Sequence, residues 1–317
     1  MSDWHDDFDP SDYRLGPATS NAGQDTRDGS VYVYSEPITL AVRVALATGR
    51  PLLLLGPPGS GKSSLAAYVA RSMKWNYFEQ VVTSRTRAQD LLWSFDAIRR
   101  LRDAHADRLH QGVEPYIEPR VLWWAFDPPN ARLRGAEKLP DDVPSAVVPG
   151  ILRGVDHPAV VLIDEIDKAD PDVPNDLLVS LGSQRFRVDE LGRDVVAERR
   201  LLVFITSNNE RSLPPAFLRR CVIHSLDQPS VGRLVEIATA HFPAAAAANQ
   251  DLFQQVANKV VSMRKDAADS TQPPPSAAEY LDAVRACLQL KIQPDESPLW
   301  KAINSTVLLK KTDTGAS

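Results

Sequence analysis

The chain has 317 residues, of which 43% are hydrophobic and 24% charged, with a formal net charge of −5. These proportions suit a folded protein with one large core and a smaller appendage, and the acidic balance argues against a chain built to coat nucleic acid. Two cysteines, Cys221 and Cys287, supply neither a metal spacing nor a disulfide framework, so the reducing cytoplasm is the simplest compartment. No apolar run reaches membrane-spanning length, and MSDWHDDFDP is acidic rather than signal-like, so a soluble protein is expected.

Residues 1–30 are rich in Asp, Ser, Gly and Asn and poor in aliphatics, which predicts a disordered acidic leader. EPITLAVRVALATGR (36–50) places apolar residues at helical spacing, with Pro37 near its start and Gly49 at its end. PLLLL (51–55) is a short unbroken apolar run, as in a strand buried on both faces. A helix follows over 63–73 and a second strand over 76–82. The stretch from Thr83 to Gly154 is longer than a simple crossover, and it predicts a helix over 88–102 and an insertion on the core. Its tryptophans, Trp93, Trp123 and Trp124, either pack on the core or face a partner. His105 and His110 lack the carboxylate or cysteine spacing of a metal site.

PAVVLIDEID (158–167) predicts a buried strand ending in acids, and residues 183–200 a β-hairpin. Arg185 and Arg187 on that hairpin are either solvated or turned toward a channel. LLVFITSNN (201–209) is a strand with a polar end, LPPAFLRR (213–220) a short helix and CVIHSL (221–226) a last strand. After Pro229 the chain turns helical and Ala-rich, broken by TQPPPS (271–276). Strands alternating with helices indicate a parallel sheet covered on both faces.

The chemistry is concentrated at the ends of these strands. Gly56, Pro57, Pro58, Gly59, Ser60, Gly61, Lys62 and Ser63 satisfy the phosphate-loop pattern, with Ser64 next in the helix. Glycines let backbone N–H groups turn around a phosphate, the helix offers its positive end, and Lys62 adds a full charge. Ser63 is placed to bring a hydroxyl to Mg²⁺. Asp164 is suited to hold that ion's hydration shell and Glu165 to orient and polarise an attacking water. Asp167 and Asp170 read as helix-capping or surface residues. Asn208, at the tip of the next strand, could hold the water or a γ-phosphate from the side, or simply suit a turn. Arg219 and Arg220 either complement a helix dipole or form an arginine finger aimed at a neighbouring subunit's phosphate.

In their order, GPPGSGKS, VVLIDEID, TSNN and PPAFLRRC resemble an AAA+ ATPase, and the phrases around them are similar to the MoxR group. The resemblance spans roughly residues 31–290. It implies a five-stranded parallel αβα P-loop core over 31–227, with an insertion at about 83–125 and a hairpin at about 183–200. A C-terminal helical lid and tail over 228–317 would follow. It also implies a homo-oligomeric ring, usually hexameric, with ATP and Mg²⁺ between subunits. By motif, Lys62 and Ser63 fall in Walker A, Asp164 and Glu165 in Walker B, and Asn208 at sensor 1. Arg220 best matches the finger, with Arg219 the runner-up. One departure is visible: Ala277 and Ala278 stand where many relatives carry the sensor-2 arginine, and Arg285 lies further along the same helix. A guanine-reading NKxD and a transporter LSGGQ are both absent. The expected activity is ATP-driven remodelling or maturation of a partner protein, a client or adaptor. A nucleotide-gated scaffold with little hydrolysis and a DNA-directed motor are the alternatives.

Overall fold

The computed structural model describes residues 6–11, 29–267, 274–294 and 297–308. Its strands in chain order are β1 (Leu52–Leu55), β2 (Asn76–Val81), β3 (Trp93–Phe95), β4 (Ile117–Pro119), β5 (Gly150–Ile151), β6 (Ala159–Asp164), β7 (Arg185–Val188), β8 (Arg193–Val196), β9 (Leu201–Ser207) and β10 (Val222–Ser225). The helices are α1 (Glu36–Thr48), α2 (Lys62–Ser72), α3 (Ala97–His105), α4 (Val121–Phe126), α5 (Pro128–Arg132) and α6 (Asp172–Ser183), then α7 (Pro215–Leu218), α8 (Val231–His241), α9 (Pro243–Ala246), α10 (Gln250–Ala267), α11 (Ala277–Leu290) and α12 (Pro298–Ile303).

The unbroken apolar strands form the centre of one sheet, ordered β10-β1-β9-β6-β2-β5. Each side chain alternates between two cores, which is why these strands show no polar face. Leu53, Val161, Ile163, Val203 and Ile205 enter one core, while Leu52, Leu54, Val160, Leu162, Leu202 and Phe204 enter the other. Five strands pair in parallel, as the sequence predicts. The two-residue β5 adds a sixth, antiparallel edge strand on β2. α1 starts with Pro in its first turn and stops where Gly49 turns left-handed at φ 65°, a conformation that costs a residue without Cβ little.

The helix expected over 88–102 is divided. Residues 88–91 form a single 3-10 turn, Trp93–Phe95 pair antiparallel with Ile117–Pro119, and only 97–105 are α-helical. Burial of Trp93, and its indole N–H donating to the Arg187 carbonyl at 3.3 Å, favour the extended form over local helix preference. The segment is thus a β3–α3–β4 unit whose two short strands pair antiparallel, with Trp93 and Ile117 in the core. Residues 121–125, expected in the insertion, instead open α4, whose six side chains are all buried in the core. Trp123 and Trp124 are therefore packing residues. The 183–200 hairpin forms as β7 and β8, with Phe186 edge-on to Trp123 at 5.8 Å.

Residues 6–11 also depart from the expected leader. Phe8 is fully buried and meets Tyr68 of α2 edge-on at 6.4 Å. Arg43 donates to the Phe8 carbonyl at 2.9 Å, and Arg200 pairs with Asp6. One buried aromatic side chain, worth about 1.5–3 kcal/mol, anchors an otherwise polar segment together with the contacts from Arg43 and Arg200. The rest of the expected leader, 1–5 and 12–28, lies outside the described residues.

α8, α10, α11 and α12 enclose a third, separate core containing Leu234, Phe253, Val256, Tyr280 and Trp300. Residues 271–273 of the proline turn lie outside the described residues; α11 then begins with a reciprocal capping box between Ser276 and Glu279. Among the described residues, no helix is long and apolar enough to cross a membrane.

Candidate nucleotide site

β1 runs directly into the 56–61 loop, and α2 leaves it. Gly59 and Gly61 take φ of 71° and 93°, so the loop needs backbone conformations that L side chains rarely adopt. A Cβ on Gly59 would also meet Ser276 of the lid at 2.3 Å. Gly61 caps α2 without a side-chain oxygen, which leaves the first-turn amides facing the cavity for an anion.

That cavity, about 720 Å³, opens between the loop, the ends of the parallel strands and the lid. Pro58, Gly59, Ser60, Gly61, Lys62, Ser63 and Ser64 line it together with Asp164, Glu165 and Asn208. Gly56 and Pro57 support it from behind: their carbonyls accept from Lys62 Nζ at 2.7 and 2.9 Å. The same ammonium donates to Asn208 Oδ1 at 2.8 Å. Burial lowers the Lys62 pKa, while the charges of Asp164, Asp167 and Glu165 oppose that shift.

The two acids meet different neighbours. Asp164 is buried and accepts from Ser63 Oγ at 2.9 and 3.0 Å and from Thr206 Oγ1 at 2.5 Å. Thr206 in turn accepts the Glu165 amide at 2.8 Å. Glu165 sits at φ 61° and ψ 48°, a left-handed conformation uncommon for a residue with a Cβ. Its carboxylate bonds Lys168 at 2.7 Å and lies 3.4 Å from Asn208 Nδ2. Hard oxygen donors such as Ser63 and Asp164 suit Mg²⁺, and the turned-in amides suit phosphate, so the residues present fit both groups.

Several contributors escaped the sequence reading. Asp167, expected at a cap or surface, is buried, and its Oδ2 accepts the amides of Asn208 (3.1 Å) and Glu210 (2.9 Å), fixing the loop that carries Asn208. Its Oδ1 is buried without a hydrogen-bond partner among the described residues. Tyr32 and Val33 wall the cavity, and Tyr32 packs on Tyr68 at 5.6 Å. From the lid, Arg233 lines the cavity and donates to the Val33 carbonyl. Ala278, Leu281, Asp282 and Arg285 share the cavity-facing side of α11, so Arg285 stands two turns beyond the alanines at the sensor-2 position. Arg219 and Arg220 are exposed and lie outside the cavity lining, beside β10.

A five-stranded parallel P-loop sheet with acids on the next strand but one, closed by a helical lid, defines the AAA+ class of nucleotide-binding proteins. The family model for an AAA domain of the dynein-related subfamily matches residues 51–221, more than half of the chain, and the chain belongs to that family. No curated protein matches it in sequence. Among solved structures, it is similar to a point mutant of Thermotoga maritima RuvB, with TM-score 0.47 and 14% identity over 88% of this chain and 72% of that one. It is also similar to the T. maritima RuvB structure described as a Holliday junction branch migration motor, with TM-score 0.43 and 16% identity over 84% and 66%. A likeness this distant assigns no substrate to the present chain.

Proposed function

We propose that the chain is an ATP-hydrolysing, MoxR-like subunit of a cytoplasmic ring, hexameric in the usual AAA+ manner, that remodels or matures a partner protein. The observation that carries the reading is the meeting of Ser63 with Asp164 while Glu165 and Asn208 face the same cavity. Mg²⁺ held by Ser63 and Asp164 would neutralise phosphate charge. Lys62 and the amides from Gly59 to Ser64 bind the phosphates, and Tyr32 and Val33 border the nucleotide. Glu165 orients and polarises a water for in-line attack on the γ-phosphate, and Asn208 steadies that water or the departing phosphate. Arg220, with Arg219 as the alternative, completes the site of the next subunit. An acidic chain suits a protein client better than a DNA track.

A second reading is a nucleotide-gated scaffold that turns over slowly. It is favoured by the Lys168–Glu165 ion pair, which engages the carboxylate meant for water, and by alanines at the sensor-2 position. Steady-state ATPase of wild type and Glu165→Gln separates the two. The enzyme reading expects turnover to fall about 100-fold or more in the variant while nucleotide still binds. Equal rates, with and without candidate partners, would leave only the scaffold.

A further inference from the structure

Arg50 stands just ahead of β1, roughly 20 Å of extended chain away from Gly56 of the phosphate loop at about 3.3 Å per residue. Its guanidinium reaches three consecutive carbonyls on the turn that ends α7. Nε donates to the Arg220 carbonyl at 3.1 Å, and Nη2 donates to the Cys221 carbonyl at 3.0 Å and to the Arg219 carbonyl. α7 has only four residues, so its end has little helix of its own to hold it. The Arg219 carbonyl belongs to the C-cap of α7 and those of Arg220 and Cys221 to the turn beyond it, and one guanidinium supplies donors to all three.

The anchor for this contact is itself fixed. Gly49 ends α1 with its left-handed turn, and the Pro51 carbonyl accepts the Val222 amide at 2.8 Å. The Arg50 backbone is thus tied to the first strand of the sheet, and its side chain to the residues whose side chains are proposed to leave the subunit.

We propose that Arg50 is a positioning residue for the arginine finger: by holding the carbonyls of 219, 220 and 221, it sets the direction in which Arg219 and Arg220 project toward the neighbouring subunit. This rests on the shared-site reading above. The task needs an arginine, because a planar fork with several donors spans consecutive carbonyls and a single ammonium does not. A misplacement of about 1 Å in a charge-stabilising group can cost about 100-fold in rate. Loss of Arg50 therefore lowers kcat while leaving the subunit's own nucleotide pocket intact.

The experiment compares Arg50→Ala and Arg50→Lys with wild type in steady-state ATPase, thermal unfolding and binding of a fluorescent ATP analogue. Expected are a kcat reduced about 10- to 100-fold in the alanine variant and less in the lysine variant, with analogue affinity and melting temperature close to wild type. Mixed assemblies then assign the defect. Arg50→Ala subunits keep their own loop, so mixing with Lys62→Ala subunits, whose fingers are intact, restores turnover. Mixing with Arg220→Ala subunits does not. Wild-type turnover in Arg50→Ala overturns the proposal, as does failed rescue by Lys62→Ala when the control pair of Arg220→Ala with Lys62→Ala is rescued. If the control pair also fails, the shared site itself is wrong and the role of Arg50 falls with it.

Discussion

Thr206 Oγ1 donates to Asp164 at 2.5 Å and accepts the Glu165 amide at 2.8 Å, so one hydroxyl on β9 fixes two successive residues at the end of β6. The acid suited to the metal and the acid suited to water are thus set by a single atom on the adjacent strand. The left-handed turn at Glu165 is held by the same contact.

Thr206→Val keeps the shape and removes that atom. The Glu165 amide loses its partner, a loss worth about 1–3 kcal/mol when buried. Urea unfolding should show a destabilisation of that order. ATPase should fall at least about tenfold and need more Mg²⁺ for half-maximal rate, whereas metal-free ADP binding should change little. An unchanged Mg²⁺ dependence would mean that Thr206 does not set the metal-binding carboxylate.

Arg219 and Arg220 can be told apart. Arg220→Ala should reduce turnover by about 10³-fold or more with nucleotide affinity retained, as expected of a finger, and Arg219→Ala should have the smaller effect. The reverse ranking would move the finger by one residue. The same assays with single- and double-stranded DNA added should show no stimulation; stimulation would favour the DNA-directed motor.

Phe8 offers a test of the docked segment. Phe8→Ala should cost about 3 kcal/mol in chemical denaturation, since a fully buried ring is removed from its contact with Tyr68. Asp6→Ala, which breaks an exposed ion pair with Arg200, should be close to neutral. A neutral Phe8→Ala would show that residues 6–11 contribute nothing to the stability of the core.

Both cysteines are buried, and burial pushes each thiol up to about 11 from 9.0. At pH 8 the thiolate fraction is then about one in a thousand, and alkylation of the native protein should be slow and unfolding-limited. The sign of the pH effect follows from the raised value. The thiols' contribution to stability is fully present below about 9, where folded and unfolded thiols are both protonated, and is lost as pH rises toward 11, because the unfolded thiols ionise first. Replacing both with serine should flatten that alkaline limb in a series of melting temperatures.

Much of the site was legible in the sequence because its parts are local. The loop 56–63, the acids 164 and 165 and the polar end 206–209 each follow a short continuous apolar run whose length and flanking signals suit a buried strand. That placed every strand of the parallel sheet, and seven of the nine loop and helix residues expected at the phosphates, 58–64, line the cavity, with Gly56 and Pro57 behind it. The short edge strand at 150–151, the division of 88–102 into turn, strand and helix, and the assignment of 121–125 to the core were not legible. Each depends on which distant surface the segment packs against, and local spacing fits both outcomes.

The sequence by itself determined the class of site, since the phosphate loop and the acids are each a short contiguous run whose chemistry is carried by residue type and order. Only the tertiary structure decided how those pieces are aimed: Thr206 on two acids, Arg285 on the cavity side of the lid, Phe8 against α2, and Arg50 on carbonyls about 170 residues away. These contacts join residues far apart in the chain through two or three hydrogen bonds, a shared cavity wall or one buried ring. Such pairings leave no periodicity or motif along the chain, so they come into view only when folding has brought the partners together.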